Sequence, residues 1–193
     1  LTPMDKIPPV VRDAFVAAED SEFYRHPGID LKGISRAFFA NLRAGDVVQG
    51  GSTITQQVVK SLLLTPERSY RRTLREVMLS LKIERELSKD EILYLYLNQI
   101  YLGDGNYGIG AAARSYFSKD PSELTLPEAA LLAGLPKAPS RYSPTRNAEG
   151  ALTRQRYVLT RMLEEGYVTP TAYRAAVRQG VSVVQRNKPR ATT

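Results

Sequence analysis

The chain of 193 residues is long enough for one domain with a sizeable core, or for two small lobes that share a cleft. Its 27 Lys and Arg residues outnumber its 20 Asp and Glu residues, and the net charge of +7 favours an anionic partner such as a phosphate, a nucleic acid or an acidic membrane surface. Cysteine is absent and histidine occurs once, which excludes disulfides, thiolate metal sites and histidine-rich metal sites.

Helical patterns dominate the first part of the chain. Pro8 and Pro9 precede apolar residues at helical spacing, which predicts a helix that ends near Glu19 and Asp20 and carries two carboxylates at its C-terminal end. A second helical stretch over residues 31–42 mixes apolar and basic side chains. That mixture fits either contact with a membrane or a core-facing helix with solvated arginines.

The sequence Gly-Gly-Ser-Thr-Ile-Thr-Gln-Gln over residues 50–57 predicts the start of another helix, with Ser52 as its cap. The two glycines let the backbone approach a ligand closely. Thr53, Gln57 and Lys60 fall at helical spacing, so a hydroxyl, an amide and an ammonium are expected on one face behind the helix N-terminus, which favours anions. The segment fits a site for an anionic or hydroxylated ligand, or an ordinary capped helix with a solvated face.

A long helix is predicted to start within residues 65–72. One apolar face contains Leu74 and Met78, and further apolar residues lie on the opposite side of the helix, beside Glu76. We therefore expect a helix buried on two sides with a carboxylate between them. Such a carboxylate needs a partner, which is either Arg72 one turn earlier or a cation of the substrate.

Ser88 to Glu91 form a capping box, which opens a helix that is apolar nearly all round and that we expect at the centre of the fold. No apolar run reaches the roughly 20 residues that span a bilayer, and the N-terminus does not resemble a signal peptide. With no internal repeat and few strand alternations, the predicted fold class is all-α. The remaining predicted helices cover residues 108–117, 125–134, 147–165 and 169–179, followed by a basic linker over 181–193.

Carboxylates are the candidate catalytic groups, because cysteine is missing and no serine has a lysine three positions on, which excludes a Ser-x-x-Lys acyl transferase. Glu19 follows an apolar helix, where desolvation can raise its pKa for general acid or base work; the alternative is a solvated carboxylate. For Glu76 the alternative is a structural ion pair. For His26 the alternative to a functional role is a histidine of a loop or the core whose hydrogen bonds are made within the protein. A cluster of basic residues suits the binding of a phosphate; the alternative is a basic face exposed to solvent. The cluster consists of Lys60, Arg68, Arg71 and Arg72.

Five segments, in order along the chain, resemble the motifs of one family. Glu-Asp-Ser-Glu-Phe-Tyr-Arg-His-Pro-Gly at 19–28 resembles its first motif, residues 50–60 its second, and Arg-Thr-Leu-Arg-Glu at 72–76 its third, although Thr73 stands where a second basic residue is common. Tyr-Leu-Asn-Gln-Ile-Tyr-Leu-Gly at 96–103 resembles the fourth motif, and residues 126–136 a further signature. The family is the peptidoglycan glycosyltransferases (glycosyltransferase family 51) of class A penicillin-binding proteins and monofunctional enzymes.

The resemblance implies polymerisation of lipid II into glycan strands at the outer face of the bacterial cytoplasmic membrane, with inversion and release of undecaprenyl pyrophosphate. It also implies an all-α, lysozyme-like large lobe with a small membrane-proximal jaw, here within residues 1–180 and with the jaw and donor-site region at about 31–70. The implied partners are lipid II, the lipid-linked glycan strand, the membrane surface and inhibitors of the moenomycin type, with no nucleic acid.

By the same resemblance, Glu19 is the general base that deprotonates the 4-hydroxyl of the acceptor sugar, and Glu76 is the second essential carboxylate. The resemblance leaves open whether Glu76 orients a basic side chain, helps to hold a divalent cation such as Mg²⁺ on the pyrophosphate, or assists the acceptor. The sequence does not demand that cation, and we assign no metal ligand. The implied substrate-binding residues are Asp20, Phe23, His26, Ser52, Thr53, Gln57, Lys60, Arg68, Arg72 and Asn98, of which Lys60 and Arg68 match phosphate-binding positions.

Two other functions compete with this interpretation. A lytic transglycosylase or muramidase also has a lysozyme-like fold and one catalytic glutamate, but its substrate lacks a pyrophosphate for Lys60, Arg68 and Arg72. A basic all-α module that binds nucleic acid rests on net charge alone. The ordered motifs favour the synthase. The terminal helices and basic tail resemble the continuation in bifunctional class A proteins, so we expect an excised domain that lacks the family's anchor and transpeptidase module.

Overall fold

The computed structural model describes residues 1–31, 35, 51–62 and 70–184. These residues contain α-helices, two short 3-10 helices at Met4–Lys6 and Pro121–Glu123, and an isolated bridge between Tyr101 and Tyr107, but no β-strand. The predicted all-α class is therefore confirmed. None of the described helices is both long and apolar enough to cross a bilayer. The helices are α1 (Pro9–Glu19), α2 (Ile54–Leu62), α3 (Tyr70–Glu86), α4 (Lys89–Gln99), α5 (Ile109–Phe117), α6 (Leu126–Gly134), α7 (Ala148–Glu164) and α8 (Pro170–Gln179).

Side-chain caps explain why several helices begin where the sequence predicts. The backbone N–H of Ser88 donates to the Glu91 carboxylate at 2.7 Å, and the Ser88 hydroxyl accepts from the Glu91 N–H, which completes the capping box of α4. Thr125 makes the corresponding backbone contact to Glu128 before α6 at 2.9 Å. Each cap satisfies N–H groups that the first helical turn leaves free, so the start of the helix is fixed locally.

Helix α6 is the most completely buried of the described helices, since every residue from Pro127 to Gly134 is buried. It packs against α1, α7 and α8. Its alanines let the neighbouring helices approach closely. The sequence analysis expected α4 at the centre, but α4 contributes only four buried residues and packs against α2, α3 and α5. Helix α6 takes the central position because its side chains are small. A prediction based on the number of large apolar residues does not detect such a helix.

Helix α2 packs between α3 and α4, and this second group of helices meets α1 through aromatic rings. The ring of Tyr96 on α4 lies edge-on to that of Phe15 on α1, with the centroids 6.0 Å apart. The C-terminal end of α1, which carries Glu19, therefore lies where the two groups of helices meet.

Only one of the two predicted buried sides of helix α3 packs inward, the side that carries Glu76. Leu74 and Met78 are 61% and 62% exposed, whereas Glu76 is 8% and Ser80 0% exposed. The side of the helix that packs inward meets polar partners: the carboxylate of Glu84, for example, is bonded to side chains of α2 and α4. Because ion pairs and hydrogen bonds can replace apolar contact between helices, the prediction that the side of Leu74 and Met78 is also buried is wrong.

The last described residues contact the core. The backbone N–H of Val184 donates to the carbonyl of Tyr116 at 2.8 Å, and Val181 and Val183 pack against core side chains. Residues 185–193, with most of the segment 31–50 and all of 63–69, lie outside the described residues. The predicted helix at 31–42, the division at residue 180 and the arrangement of a large lobe and a jaw therefore stay predictions.

Candidate active site

A cavity of about 350 Å³ lies beside the C-terminal end of α1, between α2 and α7. Its wall combines a carboxylate pair with hydroxyl, amide and cationic groups, which is an unusual concentration of polar chemistry for one cavity. The residues that carry this chemistry are Glu19, Asp20, Ser52, Gln57, Lys60, Lys137, Arg154 and Arg161.

Glu19 is the last residue of α1 and lies in the wall of this cavity. Its Oε2 accepts a hydrogen bond from Nε2 of Gln57 at 3.0 Å. Burial raises the pKa of Glu19 above its ordinary value; the Gln57 hydrogen bond and the charges of Arg154 and Lys137 oppose this increase, and the Asp20 charge adds to it. A carboxylate with a raised pKa binds a proton more tightly and is therefore a better general base near neutral pH.

Asp20 connects the end of α1 to the start of α2. Its two carboxylate oxygens lie 3.0 and 2.9 Å from Nε2 of His26, and Oδ2 also accepts the backbone N–H of Ile54, the first residue of α2, at 3.0 Å. The Gly28 N–H donates to Nδ1 of His26 at 3.0 Å, so the tautomer that satisfies both contacts carries its proton on Nε2. A negative charge at a helix N-terminus is favourable, and here it also fixes α2 beside Glu19.

Thr53, and not the predicted Ser52, caps α2. The Thr53 hydroxyl accepts the N–H of Gln56 at 3.1 Å, and the Thr53 N–H donates to the Gln56 side chain at 2.9 Å. The same hydroxyl donates to the carbonyl of Gly28 at 2.7 Å. Both hydrogen-bonding roles of the Thr53 side chain are thus used within the protein, and Ser52 remains available to the cavity.

The predicted face of α2 is divided between the cavity and the protein interior. Gln57 and Lys60 line the cavity, whereas Thr53 is 2% exposed and does not. The reason is that a capping residue has extended backbone angles, so its side chain does not follow the helical spacing used for the prediction.

Glu76 holds cations at the edge of the cavity. Its Oε1 accepts from Nε of Arg72 at 2.9 Å, and its Oε2 lies 3.9 Å from Nζ of Lys60. The same ammonium donates to the Ser52 hydroxyl at 2.8 Å. Glu76 and Arg72 do not line the cavity themselves, but Lys60, which Glu76 contacts, does.

Helix α7 supplies cavity residues that the sequence analysis did not identify. Arg154, Tyr157 and Arg161 line the cavity, with Lys137 from the loop after α6. The guanidinium of Arg154 lies 4.3 Å from the centre of the Tyr157 ring, while Arg161 is paired with two carboxylates on its own helix. The spacing i, i+3 and i+7 places the α7 residues on one face, and this pattern was the available signal.

Besides Thr53 and Arg72, three further residues implied by the resemblance do not line the cavity. Phe23 is fully buried below the Lys89 ammonium, which lies 4.6 Å from its ring centre. His26 is bonded to Asp20, and Asn98 binds the backbone of Thr2 in the wall of a second cavity of about 820 Å³. Arg68 lies outside the described residues. Their roles in substrate binding stay predictions.

A divalent cation finds no ready set of ligands in the described part of the chain. No group of three or more His, Asp or Glu side chains is placed there to hold a metal ion. Glu76, the residue considered for this role, contacts two cationic side chains instead.

The order of these site residues along the chain corresponds to a known family. The family described as Transglycosylase matches residues 1–163, which is most of the chain. The chain belongs to this transglycosylase family. Penicillin-binding protein 1A of Aquifex aeolicus strain VF5 is 56% identical over 185 residues, covering 96% of this chain and 26% of the relative. The protein of the same name from Neisseria flavescens is 54% identical over 168 residues, covering 87% of this chain and 21% of the relative.

A solved structure agrees with these sequence relatives. The crystal structure of penicillin-binding protein 1A from Haemophilus influenzae is similar with a TM-score of 0.58 and 27% sequence identity, and the similarity covers 96% of this chain and 18% of that chain. The transglycosylase chain described here thus spans about a fifth to a quarter of the length of the relatives that it matches.

Proposed function

We propose that this chain is a peptidoglycan glycosyltransferase that polymerises lipid II into glycan strands. The observation that carries the proposal is the placement of one partly desolvated carboxylate, Glu19, in a cavity whose other walls bear Lys60, Lys137 and Arg154. A base beside cations suits a reaction in which a hydroxyl attacks and a pyrophosphate leaves. Membership of the transglycosylase family supports the same reaction class.

The proposed step is a single displacement at the anomeric carbon of the donor sugar. The 4-hydroxyl oxygen of the acceptor forms a bond to C1 while the bond from C1 to the pyrophosphate oxygen breaks, and the leaving oxygen keeps the electron pair. Glu19 takes the proton of the hydroxyl. Attack from the side opposite the leaving group inverts the configuration at C1. General base catalysis of this kind contributes typically about 10²- to 10⁴-fold, so other groups must also stabilise the transition state.

The cationic walls would provide that further stabilisation. Negative charge accumulates on the pyrophosphate as it departs, and preorganised cations stabilise such charge more than they stabilise the bound substrate. Lys60 is held in place by Ser52 and Glu76, and Arg154 is held over the ring of Tyr157. The alternative of a lytic enzyme that cleaves glycan gives this charge no comparable purpose, because its substrate is not a pyrophosphate.

The lipid tail of such a donor requires a membrane near the site. Leu62 at the end of α2 and Leu74 and Met78 on α3 are each more than half exposed. Exposed apolar side chains of this kind support contact with the outer face of the bacterial cytoplasmic membrane. The proposed partners are lipid II, the lipid-linked glycan strand and inhibitors of the moenomycin type that imitate the donor.

Replacement of Glu19 tests the proposed function directly. With purified lipid II, Glu19→Gln is expected to lower the rate of strand formation at least a hundredfold while the variant still binds lipid II, since the amide keeps the shape of the side chain but accepts no proton. Gel separation of labelled glycan measures the products. Glu22→Gln is the matched control, because Glu22 lies in the following loop, outside the cavity, and pairs with Arg25.

The contrary outcomes are equally specific. Near-wild-type strand formation by Glu19→Gln would remove Glu19 from the mechanism. If the wild-type chain leaves lipid II unchanged but degrades polymeric peptidoglycan, the lytic alternative is correct and the synthase proposal is wrong.

A further inference from the structure

Tyr96 on α4 carries a buried hydroxyl that has no hydrogen-bond partner among the residues that the structure describes. The residue is 2% exposed, and its ring packs edge-on against that of Phe15. A buried tyrosine hydroxyl normally finds an acceptor, because leaving it unsatisfied is unfavourable. The exception calls for an explanation in terms of what lies near the hydroxyl.

Two carboxylates, Glu19 and Asp20, follow about one helical turn after Phe15, the residue of α1 whose ring the Tyr96 ring contacts. Burial, followed by the negative charges of Glu19 and Asp20, raises the pKa of Tyr96 well above its ordinary value. The phenol is therefore protonated near neutral pH. Towards a carboxylate a protonated phenol is a hydrogen-bond donor.

Of the two carboxylates, Glu19 is the less occupied, because one of its oxygens accepts no hydrogen bond from the described residues. Both oxygens of Asp20 contact His26, and one of them also accepts the backbone N–H of Ile54. Glu19 uses Oε2 for the bond from Gln57, and its Oε1 accepts no hydrogen bond from the described residues. The unused donor and the unused acceptor thus belong to the same pair of residues.

We propose that the Tyr96 hydroxyl positions Glu19 by donating a hydrogen bond toward Oε1 through one water molecule. This inference rests on the proposed function, in which Glu19 is the base. One hydrogen bond, from Gln57, lets the carboxylate plane rotate, and a second donor on the other oxygen fixes that plane toward the acceptor hydroxyl. Tyr96 does not line the cavity, so it is a positioning residue that acts through Glu19.

The other groups that face Glu19 are unaffected by removal of the Tyr96 hydroxyl. They come from every neighbouring part of the site: Gln57 from α2, Arg154 from α7, Lys137 from the loop after α6, and Asp20 from the residue after α1. A change in the titration of Glu19 on removal of one oxygen atom from Tyr96 therefore reports on this contact.

The first experiment measures the titration of Glu19 without using activity. In Tyr96→Phe, carbon-13 NMR of labelled glutamate should place the midpoint of the Glu19 titration about one pH unit higher than in the wild type, because a donor to the charged form is lost. The Glu19 signal is assigned by its absence in Glu19→Gln. Tyr116→Phe is the control: it loses a buried hydroxyl that donates to Leu102 at 2.8 Å, and it should leave the midpoint unchanged.

The second experiment uses the pH dependence of polymerisation. For Tyr96→Phe the acid limb of kcat/KM should move up by the same amount and kcat should fall about tenfold with KM unchanged, whereas a purely structural role would move none of these. Substitution of 3-fluorotyrosine at position 96 gives a stronger donor and should move the acid limb down. This second variant also keeps the ring, so it tests the inference even if Tyr96→Phe does not fold.

Two results separate the inference from the proposed function. A folded Tyr96→Phe with an unchanged Glu19 midpoint and an unchanged acid limb overturns the inference, while strand formation by the wild type still supports the function. A Glu19 midpoint that moves in a protein that does not polymerise lipid II supports the contact and overturns the proposed function.

Discussion

At the scale of single residues, the burial of Glu19 has a consequence for stability as well as for catalysis. Its pKa is raised in the folded protein, chiefly by burial. In the unfolded chain a glutamate has a pKa of about 4.3. Between those two pKa values the folded state binds more protons than the unfolded state, so the free energy of unfolding falls as pH rises through this interval. Above this interval Glu19 is ionised in both states, and the free energy of unfolding is lowered by the full cost of burying the charged carboxylate.

Glu19→Gln should therefore increase stability at neutral pH while it abolishes activity. The amide carries no charge to desolvate, and it can still accept the hydrogen bond from Gln57. Urea unfolding at pH 7.5 should show a higher midpoint for the variant than for the wild type. The difference should disappear near pH 3.5, where both forms are neutral in both states. Equal midpoints at pH 7.5 would contradict the desolvation of Glu19.

Residue-scale reasoning identified Glu19 from the sequence, because an acidic residue at the end of an apolar helix is visible in the order of residues. It could not identify Arg154 or Arg161 in the same way. Both lie more than 130 residues after Glu19, and each looks like a solvated arginine on a helix that is elsewhere amphipathic. Their place in the cavity follows from how α7 packs on α1, and no local spacing encodes that packing.

At the scale of helices, neighbouring hydroxyl residues before α2 should have separable effects. Thr53→Val removes the cap of α2 and leaves two buried backbone groups without partners, so it should lower the free energy of unfolding by about 2 kcal/mol. Thr53→Ser keeps the hydroxyl and should be close to the wild type. Ser52→Ala should change stability by less than about 0.5 kcal/mol, because Ser52 bonds to the side chain of Lys60. Urea unfolding measures all three.

The opposite pattern would restore the sequence-based assignment. If Ser52→Ala destabilises the protein as much as Thr53→Val does, Ser52 is the cap and the contacts of Thr53 are secondary. The sequence alone could not choose between them, since both residue types are good caps and the helix begins only one residue later than expected.

Helix boundaries were predicted well where a cap or a glycine marks them, whereas one of the two predicted buried sides of α3, that of Leu74 and Met78, is exposed. Ser88 and Thr125 specify helix starts through contacts within four residues, which a sequence contains in full. The face of α3 depends instead on what the helix meets. Its inward side chains find charged and hydroxyl partners on α2 and α4, so the apolar residues Leu74 and Met78 remain outside.

At the scale of the whole molecule, the cavity joins segments that are distant in sequence into one cationic surface around Glu19. Lys60 arrives from α2, Lys137 from the loop after α6, and Arg154 from α7. The spacing of residues predicted the first of these and the all-α class, and the family resemblance implied both. The remainder of the surface required the packed structure, because its members approach each other only through the contacts of α1 with α6 and α7.

This surface predicts how the donor is bound. Lys60→Ala should weaken the affinity for a lipid-linked pyrophosphate or a phosphoglycolipid inhibitor about tenfold to a hundredfold, since a hydrogen bond to a charged group contributes about 1.5–3 kcal/mol. Fluorescence anisotropy with a labelled inhibitor measures the affinity. Lys82→Ala removes an exposed lysine outside the cavity and should bind as the wild type does. An unchanged affinity in Lys60→Ala would remove Lys60 from the phosphate site.

The polar inward side of α3 sets how far this helix can slide along its own axis. The Glu84 carboxylate accepts from Thr55 at 2.5 Å and from Lys89 at 2.7 Å, and a Cβ on Gly28 would lie only 2.8 Å from the Glu84 side chain. A shift of one residue, about 1.5 Å, would break these directional bonds, whereas an apolar contact would tolerate part of it. The contacts of Glu84 therefore also fix the position of Glu76 along the helix axis, two turns away. A substitution at Glu84 should shift Glu76, and with it Lys60, although Glu84 itself does not line the cavity.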